Sequence, residues 1–340
     1  MNSAAKTQAL SKAKITVKDI PTIFGIRSLK QVRRDVTHML KQSGNGFQFG
    51  TSTLGFFRPD IGVPTYLGKY PKSRLAPIFH CFDRVGGGKH YSQRVTRNTM
   101  TDFRGKHLGY DEHDGIDFAC PIGTHLTAAA PGHVVMIRDN WLRGGLTIAV
   151  DHGHGLLSQY THCWKPLVDL GQAVQRGEPV ALSGSAGVDM TISFPWVSPH
   201  IHFMVWHQGK PIDPFLAEDE PDHTGTWIVK NAPENRLRFN ESLPDLSGVN
   251  EAAINDVVGQ CTDIKIQQEL DALNGNPHYL AAYLEDALHH DRHAWPENLD
   301  PSLLRPEEPG ITKLSLPLTN QYYDGAFFAD EPILDLDFWH

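Results

Sequence analysis

The segment from residue 133 to residue 206 contains five short, mostly apolar stretches separated by turn-forming residues. They are 133–139, 146–152, 156–162, 179–184 and 200–206. Stretches of this length, with no helical pattern between them, predict antiparallel strands joined by tight connections. The run Gly153-His154-Gly155 between two of the stretches predicts a hairpin turn. This pattern constrains the fold more than any other feature, because a parallel sheet would need helical crossover connections and no helical pattern of ten to fifteen residues lies between the stretches.

The flanking segments predict a different local structure. Apolar residues at helical spacing indicate a helix over about 27–42, which the turn-forming run 43–46 ends. Beyond Pro214, two more helices are expected at about 249–272 and 277–291. We therefore expect a mainly β, antiparallel core with a mixed N-terminal extension and an α-helical, Pro-rich C-terminal extension. The three parts are 1–100, 101–215 and 216–340.

Charge is distributed unevenly over these parts. The formal net charge is −8, but residues 1–100 carry 17 basic and 4 acidic side chains. Residues 101–215 carry 7 and 11, and residues 216–340 carry 7 and 24. A basic segment can attract nucleic acid, yet no nucleic-acid motif is present and no specific nucleic-acid partner is expected. The opposite charges of the two flanks favour an electrostatic attraction between them.

Composition and hydropathy exclude several classes of protein. At 40% hydrophobic residues the chain can bury a substantial core. No stretch approaches the roughly 18 apolar residues of a membrane span, and the N-terminus has no apolar signal-peptide region. The four cysteines are too few and too scattered for a disulfide framework.

Histidine indicates where chemistry is concentrated, since ten of the 19 histidines lie between residues 107 and 207. On a strand, His200 and His202 share one face, and two imidazoles so placed can serve one metal ion and its water. His113 and Asp117 lie four apart across Gly115, which favours a sharp turn that brings both to one ion. Alternation along the strand that ends in His162 places Tyr160 on the same face as that histidine.

The combination of motifs resembles lysostaphin/LytM-type zinc metallo-endopeptidases. The resemblance is carried by 113–135, 145–163, the glycine-rich 183–187 and 198–214. It implies that His113, Asp117 and His202 bind one Zn²⁺ per chain and that His162 and His200 are catalytic.

Two histidines and one carboxylate leave the fourth position of a tetrahedral zinc ion open for water, as catalytic sites do. No HExxH motif supplies a glutamate base, so one of the two catalytic histidines takes the proton of the water and the other stabilises the oxyanion. Which histidine is the base is left open.

The implied function is hydrolysis of peptide bonds in the cross-links or stem peptides of peptidoglycan, which are the expected partner. Such an activity places the protein outside the cytoplasm; otherwise the lack of a visible signal peptide favours the cytoplasm. The alternative is a binding or regulatory module on the same scaffold, latent or recruiting a partner. The oligomeric state is left open.

Several positions depart from the family pattern or lie outside it. An insertion, 188–198, separates the glycine-rich turn from Pro199 and carries Phe194 and Trp196, two candidates for contact with substrate. Met204 stands where the family often has glutamate, which is expected to affect packing. A last group of histidines is interpreted as a solvated helix end that complements the helix dipole. These are His289, His290 and His293.

Overall fold

The computed structural model describes residues 13–42, 57–84, 100–110, 113–218, 225–236, 241–296, 299 and 301–340. The turn expected at 43–46 lies outside these residues. Among the helices so described, none combines the length and the apolar character that crossing a membrane requires.

Eleven strands form one sheet in the described part of the chain. They are β1 (Leu75–His80), β2 (Ile116–Ala119), β3 (His125–Thr127), β4 (Gly132–Asn140), β5 (Gly145–Asp151), β6 (Leu156–Pro166), β7 (Ala173–Val174), β8 (Pro179–Ser183), β9 (His200–His207), β10 (Lys210–Ile212) and β11 (Gly325–Phe328). The main order is β11-β1-β2-β9-β6-β5-β4-β7, with β10 on β9 and β8 joining β3 to β6. All of these pairings are antiparallel except β1 with β11. The mainly β, antiparallel core expected from the sequence is therefore confirmed.

The flanking segments add two strands to one edge of this sheet. Strand β1 pairs with β2, and β11 pairs with β1. The register places His80 of β1 opposite Asp117 of β2. A histidine of the N-terminal flank thus lies beside one of the residues expected to bind metal.

Seven α-helices surround the sheet within the described ranges. They are α1 (Ile20–Ile23), α2 (Leu29–Gln42), α3 (Pro59–Tyr66), α4 (Val188–Ile192), α5 (Glu251–Gly259), α6 (Ile264–Asp271) and α7 (Pro277–His290). The helices expected at 27–42 and 277–291 are confirmed within two residues. The single helix expected over 249–272 is wrong, because α5 ends at Gly259 and a second helix, α6, begins after Asp263, which caps it by accepting hydrogen bonds from two backbone amides.

The two faces of the sheet are buried in different ways. On one face Phe118, Tyr160 and Phe203 belong to the main core, which also contains side chains of the C-terminal flank. On the other face, Met204 and Trp206 of β9 pack in a cluster that contains Ala282 of α7. Met204 is 1% exposed, in agreement with the packing role expected for it. Because β9 alternates, α7 covers the face that also carries His200 and His202.

A buried ion-pair network holds α7 against the sheet. The guanidinium of Arg138 on β4 lies 2.6 Å from an oxygen of Asp286 and 2.8 Å from an oxygen of Asp291. Gln159 on β6 donates to the other oxygen of Asp286 at 2.8 Å. These contacts fix the position of the C-terminal end of α7 relative to the central strands.

Candidate metal centre

The pairing of β2 with β9 brings the two main motifs together. The register aligns Asp117 with His202 and Ala119 with His200. Three donor atoms of the expected ligand set converge here: His113 Nε2, Asp117 Oδ1 and His202 Nδ1. The distances between them are 3.1 Å for the two nitrogens, 3.2 Å for His113 to Asp117 and 2.9 Å for His202 to Asp117. A tetrahedral zinc ion with ligands at about 2.0–2.1 Å separates its ligand atoms by roughly 3.4 Å, so the triangle fits zinc.

Hydrogen bonds on the far side of each ring determine which nitrogen faces this triangle. His113 Nδ1 lies 2.8 Å from the carbonyl oxygen of Cys81, which can only accept, so Nδ1 carries the hydrogen. His202 Nε2 lies 2.9 Å from Asp114 Oδ1 and donates to it in the same way. With neutral rings, two nitrogen lone pairs and a carboxylate oxygen then face one another, and either a metal ion or a shared proton relieves their repulsion. The donor set therefore fits a zinc ion on its own chemistry.

The ionisation of the site agrees with this assignment. Burial alone would lower the pKa of His202, but its hydrogen bonds to Asp114 and Asp117 outweigh burial and raise that pKa to about 10. Burial would raise the pKa of the Asp117 carboxyl, yet its electrostatic interactions with the His113 and His200 rings and its hydrogen bonds to His113 and His202 hold it well below its usual range. A proton and a metal ion therefore compete for the same position beside His202.

Two further imidazoles lie next to the triangle, and both carry their hydrogen on Nδ1. His200 Nδ1 donates to the carbonyl of Ser198 at 2.7 Å, and His162 Nδ1 donates to the carbonyl of Ala186 at 2.7 Å. Their ring centroids are 4.8 Å apart. Burial lowers the pKa of His200 to about 3, so this ring is neutral at physiological pH. In neutral rings of this tautomer, each Nε2 has a lone pair that can accept a proton.

His162 reaches the site by a local break in strand alternation. Tyr160 lies opposite Phe203 and is fully buried in the core, with its hydroxyl accepting from the Ala129 amide at 2.8 Å. The expectation that Tyr160 and His162 share a face is therefore wrong. The backbone of His162 has φ 64°, a left-handed conformation uncommon outside glycine, and this bulge turns the imidazole toward His200.

Gly115 serves a different purpose from the one expected. Its backbone does not have positive φ. A Cβ at this position would lie 2.8 Å from Cε1 of His202 and 2.9 Å from the carbonyl oxygen of Phe203. Glycine is required because the His202 ring packs directly on the backbone of the turn that precedes β2.

Further polar residues contact the site that sequence reasoning did not assign to it. His80 Nδ1 lies 3.0 Å from Asp117 Oδ2, so it holds the oxygen that does not face the triangle. Asp114 contacts His289 and His290 at the end of α7. The expectation of a solvated helix end is wrong for these two histidines, whose side chains are 11% and 25% exposed. Only Asp114 had a local signal, its position next to His113.

The insertion lies beside the site as a short helix and a loop. Residues Val188–Ile192 form α4, and Asp189 Oδ2 lies 3.8 Å from His162 Nε2. Phe194 and Trp196 are about half exposed. Phe194 packs edge-on against Phe24, so part of this ring is committed to packing.

Comparison with known proteins identifies the central part of the chain. The profile of Peptidase family M23 matches residues 111–214. The peptidoglycan DD-endopeptidase ShyA of Vibrio cholerae is 35% identical over 105 residues, which are 31% of this chain and 23% of the relative. The murein hydrolase activator EnvC of Escherichia coli is 36% identical over 93 residues, 27% of this chain and 20% of the relative.

A solved structure is also similar to part of the chain. The catalytic domain of the antimicrobial peptidase lysostaphin from Staphylococcus simulans is 29% identical, with 30% of this chain and 75% of that chain covered and a TM-score of 0.26. The chain spans less than a quarter of the length of two curated relatives that it matches, at 23% of each. The similarity thus concerns the central segment, and residues 111–214 are the part of the chain that matches Peptidase family M23.

Proposed function

We propose that this chain is a zinc-dependent endopeptidase that hydrolyses peptide bonds in peptidoglycan cross-links or stem peptides. The observation that carries the proposal is the convergence of His113 Nε2, Asp117 Oδ1 and His202 Nδ1 as three acceptors, with the imidazoles of His162 and His200 beside them. Within the described residues the group of possible metal ligands here consists of these three side chains, and three protein ligands are typical of catalytic zinc sites rather than structural ones.

The chain's own residues supply the acid–base chemistry. When bound, a zinc ion would lower the pKa of a water molecule and polarise the scissile carbonyl. His162 and His200 each keep Nδ1 protonated against a backbone carbonyl and offer Nε2 as a proton acceptor. One takes the proton of the attacking water at Nε2 and passes it to the leaving amine, while the other stabilises the oxyanion in its protonated form, in which Nε2–H donates the hydrogen bond. Either histidine meets the requirement for the base.

The substrate class comes from the relatives. One relative carries the name peptidoglycan DD-endopeptidase, and the family is a peptidase family. The half-exposed Phe194 and Trp196 of the insertion offer apolar surface next to the site for a peptide chain. Contact of these rings with substrate is part of the proposal.

Metal analysis combined with product mapping tests this function. Wild type is expected to bind one zinc ion and to release muropeptides from purified peptidoglycan, whereas His202→Ala is expected to lose both properties. His154→Ala, in the exposed hairpin turn away from the site, is the matched histidine control and should retain both. The proposed endopeptidase function would be refuted if wild type bound no zinc, or if wild type and His202→Ala digested peptidoglycan equally.

A latent or regulatory module is the second candidate. All five site residues are at most 9% exposed, and such low exposure is what a latent site would show. The relative named murein hydrolase activator favours the same alternative. A full-length chain that binds zinc, digests no peptidoglycan and stimulates another hydrolase would establish this candidate in place of the first.

A further inference from the structure

Asp114 connects the metal centre to the C-terminal flank of the chain. Its side chain is 9% exposed, and each carboxylate oxygen has its own partner. Oδ1 accepts from His202 Nε2 at 2.9 Å, and Oδ2 accepts from His289 Nε2 at 2.9 Å, with His290 Nε2 at 3.3 Å. The first partner belongs to the central domain, whereas the other two lie 175 and 176 positions further along the chain.

We propose that Asp114 is a positioning residue that fixes His202 with Nδ1 toward the metal, and that His289 of α7 holds Asp114 in place. The inference rests on the proposed zinc site. A ligating histidine has one free ring nitrogen, and a carboxylate that accepts from this nitrogen fixes both the tautomer and the ring orientation. In this chain the second hydrogen bond on Asp114 extends that support to a helix outside the segment that matches family M23.

The packing of α7 makes this support rigid. Trp206 of β9 and His289 are in edge-on contact, with ring centroids 5.3 Å apart. Asp286, one turn earlier on α7, is bound by Arg138 and Gln159 from the central strands. The helix therefore presents His289 to Asp114 from a fixed position.

The same side chains also meet the distance requirement for a separate metal site. One ligand atom each from Asp114, His289 and His290 lie within 4.8 Å of one another. The hydrogen bonds favour the positioning role, because His290 Nδ1 already lies 3.3 Å from an Asp286 oxygen and both oxygens of Asp114 are engaged. The two interpretations predict different zinc stoichiometries.

Zinc affinity of the full-length chain tests the proposal without relying on activity. Asp114→Ala, Asp114→Asn and His289→Ala are compared with wild type by competition with a chromophoric chelator, and Co²⁺-loaded samples are compared by their visible absorption. Asp291→Asn is the matched control, because it removes an Arg138 contact at the end of α7 and leaves Asp114 untouched. Thermal unfolding of the chelator-stripped variants confirms that each one folds.

The variants should lose zinc affinity to different extents. Asp114→Ala should weaken zinc binding about 10- to 100-fold, as outer-shell changes do, and should shift the Co²⁺ spectrum. Asp114→Asn keeps an acceptor oxygen and should lie between Asp114→Ala and wild type. His289→Ala should weaken binding less than Asp114→Ala, and Asp291→Asn should bind zinc like wild type even if it unfolds at a lower temperature.

Four results would overturn the inference. If wild type binds zinc and Asp114→Ala binds it with an affinity within twofold of wild type, the inference is wrong and the proposed function still stands. If Asp291→Asn and Asp114→Ala lose the same amount of zinc affinity, the effect comes from the general packing of α7 and not from Asp114. Two zinc ions in wild type and one in His289→Ala would establish the separate metal site instead. A wild type without zinc overturns the proposed function as well.

Discussion

Replacing Gly115 by alanine should damage the metal centre although the new methyl group touches no metal. The added Cβ would lie 2.8 Å from Cε1 and 2.9 Å from Nε2 of His202. That is about 0.7 Å short of the ~3.5 Å at which two carbon atoms are in favourable contact. The carbonyl of Phe203, at 2.9 Å, leaves little room on the other side, because β9 is paired with both β2 and β6.

The His202 ring or the turn before β2 has to move by several tenths of an ångström. Ligand distances in a metal site are held to about 0.2 Å, so a shift of this size should lower zinc affinity by roughly 10- to 100-fold. Overpacking should also cost about 1–3 kcal/mol of stability in the zinc-free chain. In the presence of zinc the loss of affinity destabilises the chain further. Tenfold weaker zinc binding gives about 1.4 kcal/mol less stabilisation of the folded state at saturating zinc concentration.

Thermal unfolding with and without zinc separates the two effects, and chelator competition measures the affinity directly. Gly259→Ala is the matched control, because a Cβ there meets nothing within 4 Å. This control should bind zinc like wild type and be at least as stable. If Gly115→Ala binds zinc with wild-type affinity and unfolds at the wild-type temperature, the argument that His202 is positioned by close packing on Gly115 is wrong.

Three further predictions address the site and its support. Because the pKa of His202 is raised to about 10, zinc has to displace a proton from this ring. The apparent zinc affinity should therefore rise about tenfold per pH unit between pH 6 and 8, and calorimetry in buffers of different ionisation enthalpy should detect the released proton. Equal zinc affinities at pH 6 and pH 8 would contradict this prediction. Tyr160→Phe removes a hydroxyl that accepts from the Ala129 amide, and it should cost about 1 kcal/mol in urea unfolding while leaving zinc affinity unchanged; a large loss of zinc affinity would give Tyr160 a role at the site. Arg138→Met leaves the buried Asp286 without its guanidinium and should cost about 3–5 kcal/mol of unfolding free energy; a loss below 1 kcal/mol would show that α7 is not held by this network.

Sequence reasoning succeeded where the pattern is local. Alternation along 200–206 places His200 and His202 on one face, because side chains on a strand have a period of two. The run Gly153-His154-Gly155 forms the hairpin turn with positive φ at all three residues. The predicted helix ending near residue 291 depends only on apolar spacing, and α7 ends at His290.

Local reasoning failed where one residue changes the geometry. The apolar pattern over 249–272 is divided into two helices, since α5 ends at Gly259 and the side chain of Asp263 caps the start of α6. The left-handed backbone of His162 reverses the face of the strand at that point, so Tyr160 enters the core and His162 enters the site. Periodicity assumes regular backbone angles, and neither change follows from the period itself.

The sequence by itself determined the sheet-forming core and the residues that resemble a zinc ligand set, because both are encoded in short spacings. Only the tertiary structure decided what surrounds those residues. His80 lies 37 positions from Asp117, and His289 lies 175 positions from Asp114, yet both pairs are in contact. Such contacts depend on how β1 and α7 pack against the central strands, and packing between distant segments follows from the whole buried surface rather than from any single motif.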